Sequence, residues 1–431
     1  MATSHNDVLG AVREFVSATP DLYGLFGGRR VVFSLMNALG VLNRTCPRGH
    51  ETSFRPDRPD TKMNYCSECR QFSSVLPKTF FSQHTIRAID EFFLVLFIFC
   101  SRGPQGLSMV VGRIKAETVT KYLHAIYGVC AARVVSMKAA SWTVGGRGKI
   151  VEVDEVHLAT RKYFRGRVLV REHYWVVGVL EVDGGWVEID DAVLYRKLVE
   201  SERIASEKAE HVEEEHTKKQ REATKPKANT TTGARRDGTM PDADADADEC
   251  EDEIERVMFI QDDDGDETVE CDVEGMSGPE KERSRQLFSQ AQRGPWARNV
   301  LFFRVASRTE DSLLPIIARH VHPESIVMTD KWSAYEKLAM RYEAYTISHK
   351  HRFSRFVFRE SEMKALRVTT NHIERCWVDV RRFLSGTQER HIQTKLDVES
   401  FRYLFLRSPD ARENMVRFMA EIRCNGSQTP K

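Results

Sequence analysis

The sequence of 431 residues predicts an α/β protein built on a mixed β-sheet flanked by helices. Segments rich in Val, Tyr and Trp follow one another from residue 149, as neighbouring strands do. From residue 299 a strand, helix, strand, helix, strand and helix alternate, which is the order of an α/β domain. The length exceeds that of one small core, so we expect two to four domains.

The net charge of +1 conceals a strong asymmetry along the chain. Residues 242–272 contain ten Asp, six Glu and a single base, Arg256, so the remainder of the chain carries a net charge of +16. A basic body favours a polyanionic partner such as nucleic acid, and a generic solvated surface is the alternative. Charge blocks with few aromatic residues bury too little apolar surface to fold. We therefore predict that residues 197–292 are a mostly disordered, charged insertion.

Nothing in the sequence predicts a membrane partner or secretion. The longest apolar run, at residues 92–100, is shorter than the roughly 20 residues of a membrane-spanning helix, so it predicts a buried helix. The first residues lack the basic and then apolar pattern of a secretory signal. The cysteine count is odd and three cysteines have metal-ligand spacing, which favours a reducing compartment over a disulfide framework.

Four residues with metal-ligand chemistry occur as two pairs, Cys46 with His50 and Cys66 with Cys69. Zn²⁺ takes four thiolate or imidazole ligands in a tetrahedron, and residues two to four positions apart supply two ligands from one turn. The spacing predicts a zinc-ribbon-like domain at residues 46–80, with four unrelated residues as the alternative. Because all four positions of the tetrahedron are filled, the predicted Zn²⁺ is structural and replaces a core too small to fold alone.

Residues 81–140 have helical patterns, with two helices separated by a short polar turn near residue 115. This arrangement resembles a helix-turn-helix, in which the second helix enters the major groove of DNA. Candidate DNA contacts are Lys115, Thr118, Thr120 and Lys121. Residues 1–45 also look helical and carry no evident chemistry.

Three acids lie where an α/β sheet builds sites. Asp154 lies in the strand pattern "KIVEVDEVHL", Asp330 ends the strand "SIVMTD", and Glu374 begins a helix. Mg²⁺ or Mn²⁺ binds oxygen ligands, and two such ions about 3.5–4 Å apart promote in-line phosphoryl transfer. Each acid alone has an ordinary alternative: a helix cap for Asp330, a helix-dipole contact for Glu374 and an arginine pair for Asp154.

The first of these strands holds two further acids. Side chains alternate along a strand, so Glu152 shares a face with Asp154, while Glu155 points to the opposite face. We expect Glu155 to make a hydrogen bond or an ion pair behind the site. Glu152 has no role that the sequence assigns.

An ordered series of motifs resembles a known family. The series consists of "YCSECRQFSSVLPKTFF" in the cysteine region, "VEVDEVHLATRKYFRGR", "YWVVGVLE", "FFRVASRTEDSLLPII", "SIVMTDKWSAYEKL", "SHKHRF" and "TTNHIERCWVDVRRFL". It is similar to the DDE transposases of the Merlin superfamily of DNA transposons and to related bacterial insertion-sequence transposases with an ISXO2-like transposase domain. The resemblance covers about two thirds of the chain in the expected order, outside residues 1–45 and 197–292.

The resemblance implies an RNase H-like catalytic domain at residues 145–196 and 293–410, followed by a C-terminal tail at 411–431. It assigns Asp154, Asp330 and Glu374 as catalytic acids that hold catalytic Mg²⁺ or Mn²⁺. Some bacterial relatives use the asparagine of the third motif, here Asn371. A basic residue seven positions after the glutamate is common, and Arg381 occupies that position. Seven residues are close to two helical turns, so Arg381 faces the same way as Glu374 and can hold a phosphate.

The sequence departs from the family pattern at three places. Lys331 follows the second acid where glycine is common, "TTN" replaces "HTN" before the third acid, and the first metal pair is Cys-x3-His in place of Cys-x2-Cys. None of these changes removes a catalytic acid.

These observations predict a cut-and-paste DNA transposase whose partners are double-stranded DNA, both terminal inverted repeats and target. We expect a homodimer or a larger assembly, because two transposon ends must be paired. A host-adopted DNA-binding protein and an RNase H-like nuclease are the alternatives. The charged insertion suits a eukaryotic nuclear protein, with "KKQREATKPK" at 218–227 as a weak import signal; in a bacterium the location would be cytoplasmic.

Overall fold

The computed structural model describes residues 42–426 apart from 44, 54–62, 75–78, 87, 105, 161–171, 224–276, 290–298, 349–352 and 386. The chain divides into two compact units. One unit consists of the residues up to Glu188 together with those from Gln290 onward, and the other consists of Ile189–Ser289. The predicted N-terminal helices, the strand pattern after residue 160 and the acidic tract lie outside the described residues.

The larger unit contains all the described strands and most of the helices. The strands are β1 Met63–Cys66, β2 Gln71–Ser74, β3 Ile150–Thr160, β4 Glu172–Val182, β5 Val187–Glu188, β6 Val300–Val305, β7 Ile326–Asp330, β8 Glu343–Ile347, β9 Arg355–Arg359 and β10 Lys364–Val368. The α-helices are α1 Phe80–Gln83, α2 Ile89–Cys100, α3 Leu107–Gly112, α4 Ala116–Ala139, α7 Glu310–His320, α8 Asn371–Leu384, α9 Ile392–Phe405 and α10 Ala411–Gly426, with α5 Ala192–Ala223 and α6 Gly278–Ser289 in the smaller unit. Short 3₁₀ helices span Ser333–Met340, Glu360–Glu362 and Glu389–His391.

The central sheet has five strands in the order β6-β4-β3-β7-β8. β4 pairs antiparallel with β3 and with β6, whereas β7 pairs parallel with β3 and with β8. This mixed sheet confirms the predicted α/β class. Because β3 and β7 run in the same direction, their carboxyl ends meet at one edge of the sheet. A second, antiparallel sheet has the order β5-β10-β9, and its strand β10 leads directly into α8.

Helices cover both faces of the central sheet. The alternation of β3 sends Val151 and Val153 to one face, into a core shared with α2, α4, α7, α9 and α10. It sends Ile150 and Val156 to the other face, where α8 contributes Ile373 and Trp377. The sheet is therefore buried on both sides, which explains its near-continuous apolar strands.

The predicted helix-turn-helix region forms as two helices, α3 and α4, joined by a turn with Arg113 in the left-handed conformation. These helices do not form a separate core. Tyr122 and Ile126 of α4 are buried in the same cluster as Phe401 of α9 and Phe418 of α10. No described helix is both long and apolar enough to cross a membrane.

The C-terminal tail predicted at residues 411–431 is wrong over most of its length. Ala411–Gly426 is the helix α10, and Met415, Phe418, Met419 and Ile422 are almost completely buried. The spacing of these apolar residues is that of one helical face. The helix supplies core that the sheet and α4 need.

The predicted disorder of residues 197–292 is also wrong at both ends of that segment. α5 and α6 are helices, connected by ion pairs between Lys197 and Glu280 and between Arg283 and Asp191. Arg203 pairs with glutamates three residues before it and four residues after it, a spacing that stabilises a charged helix. Composition alone missed this contribution. The alternation predicted from residue 299 has three strands, but β9 and β10 follow its third strand, β8.

Candidate active site and metal cluster

Two of the predicted acids lie side by side at the carboxyl edge of the central sheet. β3 and β7 are parallel neighbours, and Val153 pairs with Thr329. Asp154 and Asp330 are the next residues on their strands. The sequence separation of the two acids therefore disappears in the fold, because strand pairing places them next to each other.

The third acid reaches this edge on α8, which packs across β3 and β4. Gly178 of β4 pairs with Asp154 and allows the close approach of the helix. A Cβ atom at Gly178 would lie 2.7 Å from Ile373 Cδ1 and from Trp377 Cη2. Because Gly178 has no side chain, α8 can pack close to β4. This close packing determines how far Glu374, on α8, lies from Asp154.

Hydrogen bonds from α8 and from the residue before it orient two of the acids. The indole Nε1 of Trp377 donates to Asp154 Oδ2 at 2.8 Å. Thr370 Oγ1 donates to Glu374 Oε1 at 3.3 Å. Trp377 lies three residues after Glu374, on the same side of the helix.

Burial and mutual repulsion shift the pKa values of all three carboxyl groups upward. Burial raises the pKa of Asp154 well above its ordinary range, and the charges of Glu155, Glu374 and Asp330 add to the rise against the hydrogen bond from Trp377. Burial and the charge of Glu155 raise the pKa of Asp330 to about 6. Burial raises the pKa of Glu374 to about 7. Clustered carboxylates of this kind need a positive charge, and they are typical of functional sites.

Two buried oxygen atoms at this edge accept no hydrogen bond from the described residues: Asp330 Oδ1 and Asn371 Oδ1. Unpaired carboxylate and amide oxygens are the ligands that Mg²⁺ and Mn²⁺ use. The donor set therefore fits a divalent cation. Arg381 lies near enough for its charge to interact with Asp154, while burial lowers the pKa of its guanidinium.

The three acids are not drawn together around one point. Among the described residues, only the Cys/His cluster has three or more potential ligand atoms within 4.8 Å of one another. Asp154, Asp330 and Glu374 therefore form a wider frame than the ligands of a single ion.

The two glutamates beside Asp154 have separate partners on opposite faces of β3. Glu152 accepts hydrogen bonds from the backbone N–H groups of His372 and Ile373 at the start of α8. Glu155 accepts from Arg308 Nε at 2.8 Å and from the hydroxyl of Tyr335. The ion pair expected for Glu155 is confirmed, and Glu152 has a contact that the sequence did not predict.

The predicted zinc ligands converge. Cys46, His50, Cys66 and Cys69 bring their ligand atoms within 4.8 Å of one another, with His50 Nδ1 3.1 Å from Cys69 Sγ. Cys66 ends β1, and Cys69 lies in the turn to β2. Three thiols and one imidazole in this geometry can hold one tetrahedral Zn²⁺.

Two aromatic side chains border the hairpin that carries Cys66. Tyr65 and Phe72 are paired in the β1–β2 register, with ring centroids 5.2 Å apart. The pair lies directly beside the turn that carries Cys69.

The predicted DNA contacts lie at the start of α4. Lys115, Thr120 and Lys121 are exposed and Thr118 is partly exposed. Thr120 and Lys121 line an open groove of about 500 Å³ with His84, Glu117 and His124. Lys121 Nζ also donates to the carbonyl of Thr85. The positions are accessible, and their role in DNA binding stays a prediction.

Sequence reasoning missed the residues that support the acids: Gly178, Trp377, Arg308 and Tyr335. Trp377 had a visible signal, because it lies one helical turn after Glu374. Gly178, Arg308 and Tyr335 lie within the quoted motifs, but they contact residues on other strands or helices, and the sequence pattern does not show those contacts.

One comparison with known proteins gives a match. The model of the ISXO2-like transposase domain family matches residues 265–397, a segment that includes Asp330, Glu374 and Arg381. A search of curated proteins and a search of solved structures give no match. Asp154 lies before the matched segment, and the fold brings it to the same edge of the sheet.

Proposed function

We propose that the chain is a cut-and-paste DNA transposase, because residues 265–397 match the model of the ISXO2-like transposase domain family. The observation that carries the proposal is the convergence of Asp154, Asp330 and Glu374 at one edge of a mixed sheet. The order of strands, with helices on both faces, supports the RNase H-like fold that the resemblance implies. Transposases of the DDE type act on DNA with divalent metal.

Asp154, Asp330 and Glu374 would hold Mg²⁺ or Mn²⁺, with Asn371 Oδ1 as a further or alternative ligand. When bound, two such ions activate the attacking oxygen and stabilise the leaving oxygen of an in-line transfer. Trp377 fixes one oxygen of Asp154 by its hydrogen bond and leaves the other for a ligand. Arg381 would hold a non-bridging phosphate oxygen beside Asp154, and the interaction of its charge with that carboxylate supports this role.

Two phosphoryl transfers would then move the element. In the first, water attacks the phosphorus at the transposon end, the P–O3′ bond breaks, and the 3′-oxygen leaves with a proton. In the second, this 3′-hydroxyl attacks a phosphorus of the target strand, and the target's own 3′-oxygen leaves. Neither step forms a covalent link to the protein.

The remaining parts of the chain would hold DNA. The Cys/His cluster would bind one structural Zn²⁺, and the start of α4 would contact the terminal inverted repeats through Lys115, Thr118, Thr120 and Lys121. Pairing two ends requires a homodimer or a larger assembly. In a eukaryotic host the protein would act in the nucleus.

A cleavage assay tests the proposal with the full chain, Mg²⁺ and a DNA duplex that ends in the repeats flanking the gene. The wild-type protein should nick at the repeat end and join that end to a target plasmid. The Asp154→Asn, Asp330→Asn and Glu374→Gln variants should bind the duplex and fail in both reactions.

Two outcomes would favour the alternatives. Cleavage without joining, or cleavage that ignores the repeats, would indicate a nuclease. Repeat-specific binding with no cleavage by the wild-type protein in Mg²⁺ or Mn²⁺ would indicate a DNA-binding protein without catalysis.

A further inference from the structure

We propose that Glu152 and Glu155, on either side of Asp154, are positioning residues that together set the spacing of the three site carboxylates. Glu152 fixes the helix that carries Glu374, and Glu155 fixes Asp330 through Arg308. The inference deepens the proposed function, on which it rests.

Glu152 joins β3 to the first turn of α8. Its side chain is 1% exposed, and its Oε2 accepts from the N–H groups of His372 at 3.1 Å and Ile373 at 2.9 Å. His372 Nδ1 lies 2.5 Å from the other oxygen. The first N–H groups of a helix have no partner within it and carry partial positive charge, so a carboxylate is the natural acceptor. Glu374 follows one residue after these contacts.

Glu155 acts on the opposite face and reaches a different acid. Its side chain has no exposed area, and Oε1 lies 2.6 Å from Arg308 Nη2. The same Arg308 nitrogen lies 3.8 Å from Asp330 Oδ2. Tyr335, five residues after Asp330, donates its hydroxyl to Glu155 Oε2. Glu155 therefore holds the guanidinium group of Arg308 beside Asp330 Oδ2. The other oxygen of Asp330, Oδ1, is buried and has no hydrogen-bond partner among the described residues.

Aromatic rings confine Arg308 as well. Its guanidinium carbon lies 3.8 Å from the ring centre of Trp332 and 4.9 Å from that of Trp175. The indole N–H of Trp332 donates to the Arg308 carbonyl at 3.1 Å. Trp175, Trp332 and Glu155 therefore fix the orientation of the Arg308 guanidinium, which faces Asp330.

Both contacts start from the strand that carries Asp154. One β-strand therefore holds a site carboxylate and the two supports that place its partners. Because Glu152 and Glu155 lie on opposite faces, each should act on its own acid without the other.

Glu181 offers a matched control within the same sheet. It is also a buried glutamate that accepts a backbone N–H, that of Gly145, together with Asn299 and Lys149. It lies on β4 opposite Val151, three residues before Asp154 on β3. Its replacement should cost folding stability without moving the site carboxylates.

The test measures metal binding to the full chain with Tb³⁺, a luminescent ion that takes oxygen ligands, excited through nearby tryptophan. The quantity compared between variants is the Tb³⁺ luminescence that the Asp154→Asn substitution removes. This subtraction is needed because the acidic tract at residues 242–272 also attracts cations. Glu152→Gln and Glu155→Gln should each weaken this binding about tenfold or more, as losses of outer-shell contacts do. Glu181→Gln should lower the melting temperature and leave the affinity within about twofold.

Double variants separate positioning from general loosening. The effect of Glu152→Gln should shrink in a Glu374→Gln background, and that of Glu155→Gln in an Asp330→Asn background, because coupled residues are non-additive. The losses of Tb³⁺ affinity should instead be additive when Glu152→Gln is combined with Asp330→Asn, and when Glu155→Gln is combined with Glu374→Gln. Where a glutamine variant does not fold, His372→Ala and Tyr335→Phe remove one contact each and should give the same pattern at smaller amplitude.

Unchanged Tb³⁺ affinity in folded Glu152 and Glu155 variants, or equal coupling in all four pairs, would overturn the inference while the metal site stands. Absence of any Asp154-dependent signal in the wild-type protein would instead contradict the metal site of the proposed function.

Discussion

The Cys/His cluster and the carboxylate edge are both candidate metal sites, but they are built in different ways. The cluster takes its ligands from two local turns within 24 residues, and its atoms already lie within 4.8 Å of one another. The carboxylate edge takes its three acids from two strands and a helix that span 220 residues, and these acids stay further apart. The first site has little core of its own, whereas the second lies on the most buried sheet of the molecule.

This difference indicates what a metal ion would do at each site. A site with little core depends on its ion for folding, so binding energy becomes folding energy. A site supported by a core exists before the ion arrives, at the cost of holding carboxylates near one another. Removal of metal should therefore unfold the region of the Cys/His cluster. The carboxylate edge should stay folded, with its negative charges uncompensated.

The largest effect should come from loss of Zn²⁺. Cys66→Ser, or a strong zinc chelator, should remove the ordered structure of residues 45–53 and 63–74, since structural zinc contributes on the order of 10 kcal/mol. Zinc content by elemental analysis, and proteolysis that cuts first within 45–74, check this. Cys130→Ala, a buried cysteine outside the cluster, should leave the zinc content unchanged. A Cys66→Ser protein with full zinc content would show that the cluster is not the site.

The next effect is the pH dependence of the metal-free protein. Burial raises the pKa of Glu374 to about 7 and that of Asp330 to about 6, so the folded state holds these protons more tightly than the unfolded state. The stability that they contribute is complete at about pH 4 and is lost as pH rises to about 7. Glu374→Gln or Asp330→Asn should raise the unfolding free energy at pH 8 by about 1–3 kcal/mol and change it little at pH 4.

Denaturant unfolding in a chelator at the two pH values measures this effect. Asp410→Asn is a control of opposite sign, because hydrogen bonds from Arg412 lower the pKa of Asp410. Added Mg²⁺ should stabilise the wild-type protein more at pH 8 than at pH 5. A loss of stability at pH 8 in both acid variants would mean that the carboxylates are paired rather than in excess.

A smaller effect is expected from Gly178→Ala. The new methyl group would meet Ile373 and Trp377 at 2.7 Å, so α8 must move away from β4. Overpacking of this kind costs about 1–3 kcal/mol of unfolding free energy. Cleavage should fall more than stability predicts, because Glu374 moves with the helix. Gly128→Ala on α4, where nothing lies within 4 Å, should instead stabilise by about 0.5–1 kcal/mol.

The smallest effect concerns DNA binding by α4. Lys121→Ala should weaken binding of a repeat duplex and reduce the slope of log affinity against log salt by about 1, as loss of one phosphate contact does. Fluorescence anisotropy at several salt concentrations measures the slope. Lys197→Ala, on the helix α5, should leave it unchanged. Equal slopes for both variants would remove α4 from the DNA interface.

Sequence patterns predicted these features in proportion to how local they are. The spacing of Cys46, His50, Cys66 and Cys69 is a local property, so four residues predicted the cluster. The acids are distant from one another, and a series of motifs was needed to select Asp154, Asp330 and Glu374 among many carboxylates. The side chains that support the acids could be identified only from the fold, not from residue spacing or from the motifs. Arg308 contacts Glu155 across 153 positions of sequence, and Trp377 contacts Asp154 across 223.

The errors have the same origin. Residues 411–431 are predicted to be a tail because their apolar positions have no partner in nearby sequence, yet the apolar face of α10 packs on α2 and α4. The part of α5 from residue 197 is predicted to be disordered because its composition is charged, yet Arg203 pairs with glutamates at helical spacing. In both cases the contacts that stabilise the helix are not visible in the overall composition or the local apolar pattern of the segment.

The position of the second unit along the chain has a practical consequence. β4 and β6 are antiparallel neighbours, and Leu180 pairs with Val300, so the chain between them leaves the central sheet and returns to it, and on the way β5 pairs with β10 of the second sheet. Closing a longer connection costs only about 0.6 kcal/mol for each doubling of its length. Length changes between Ile189 and Asn299 should therefore leave the register of the sheet intact. Within that stretch a fluorescent reporter can be inserted to follow the protein in cells.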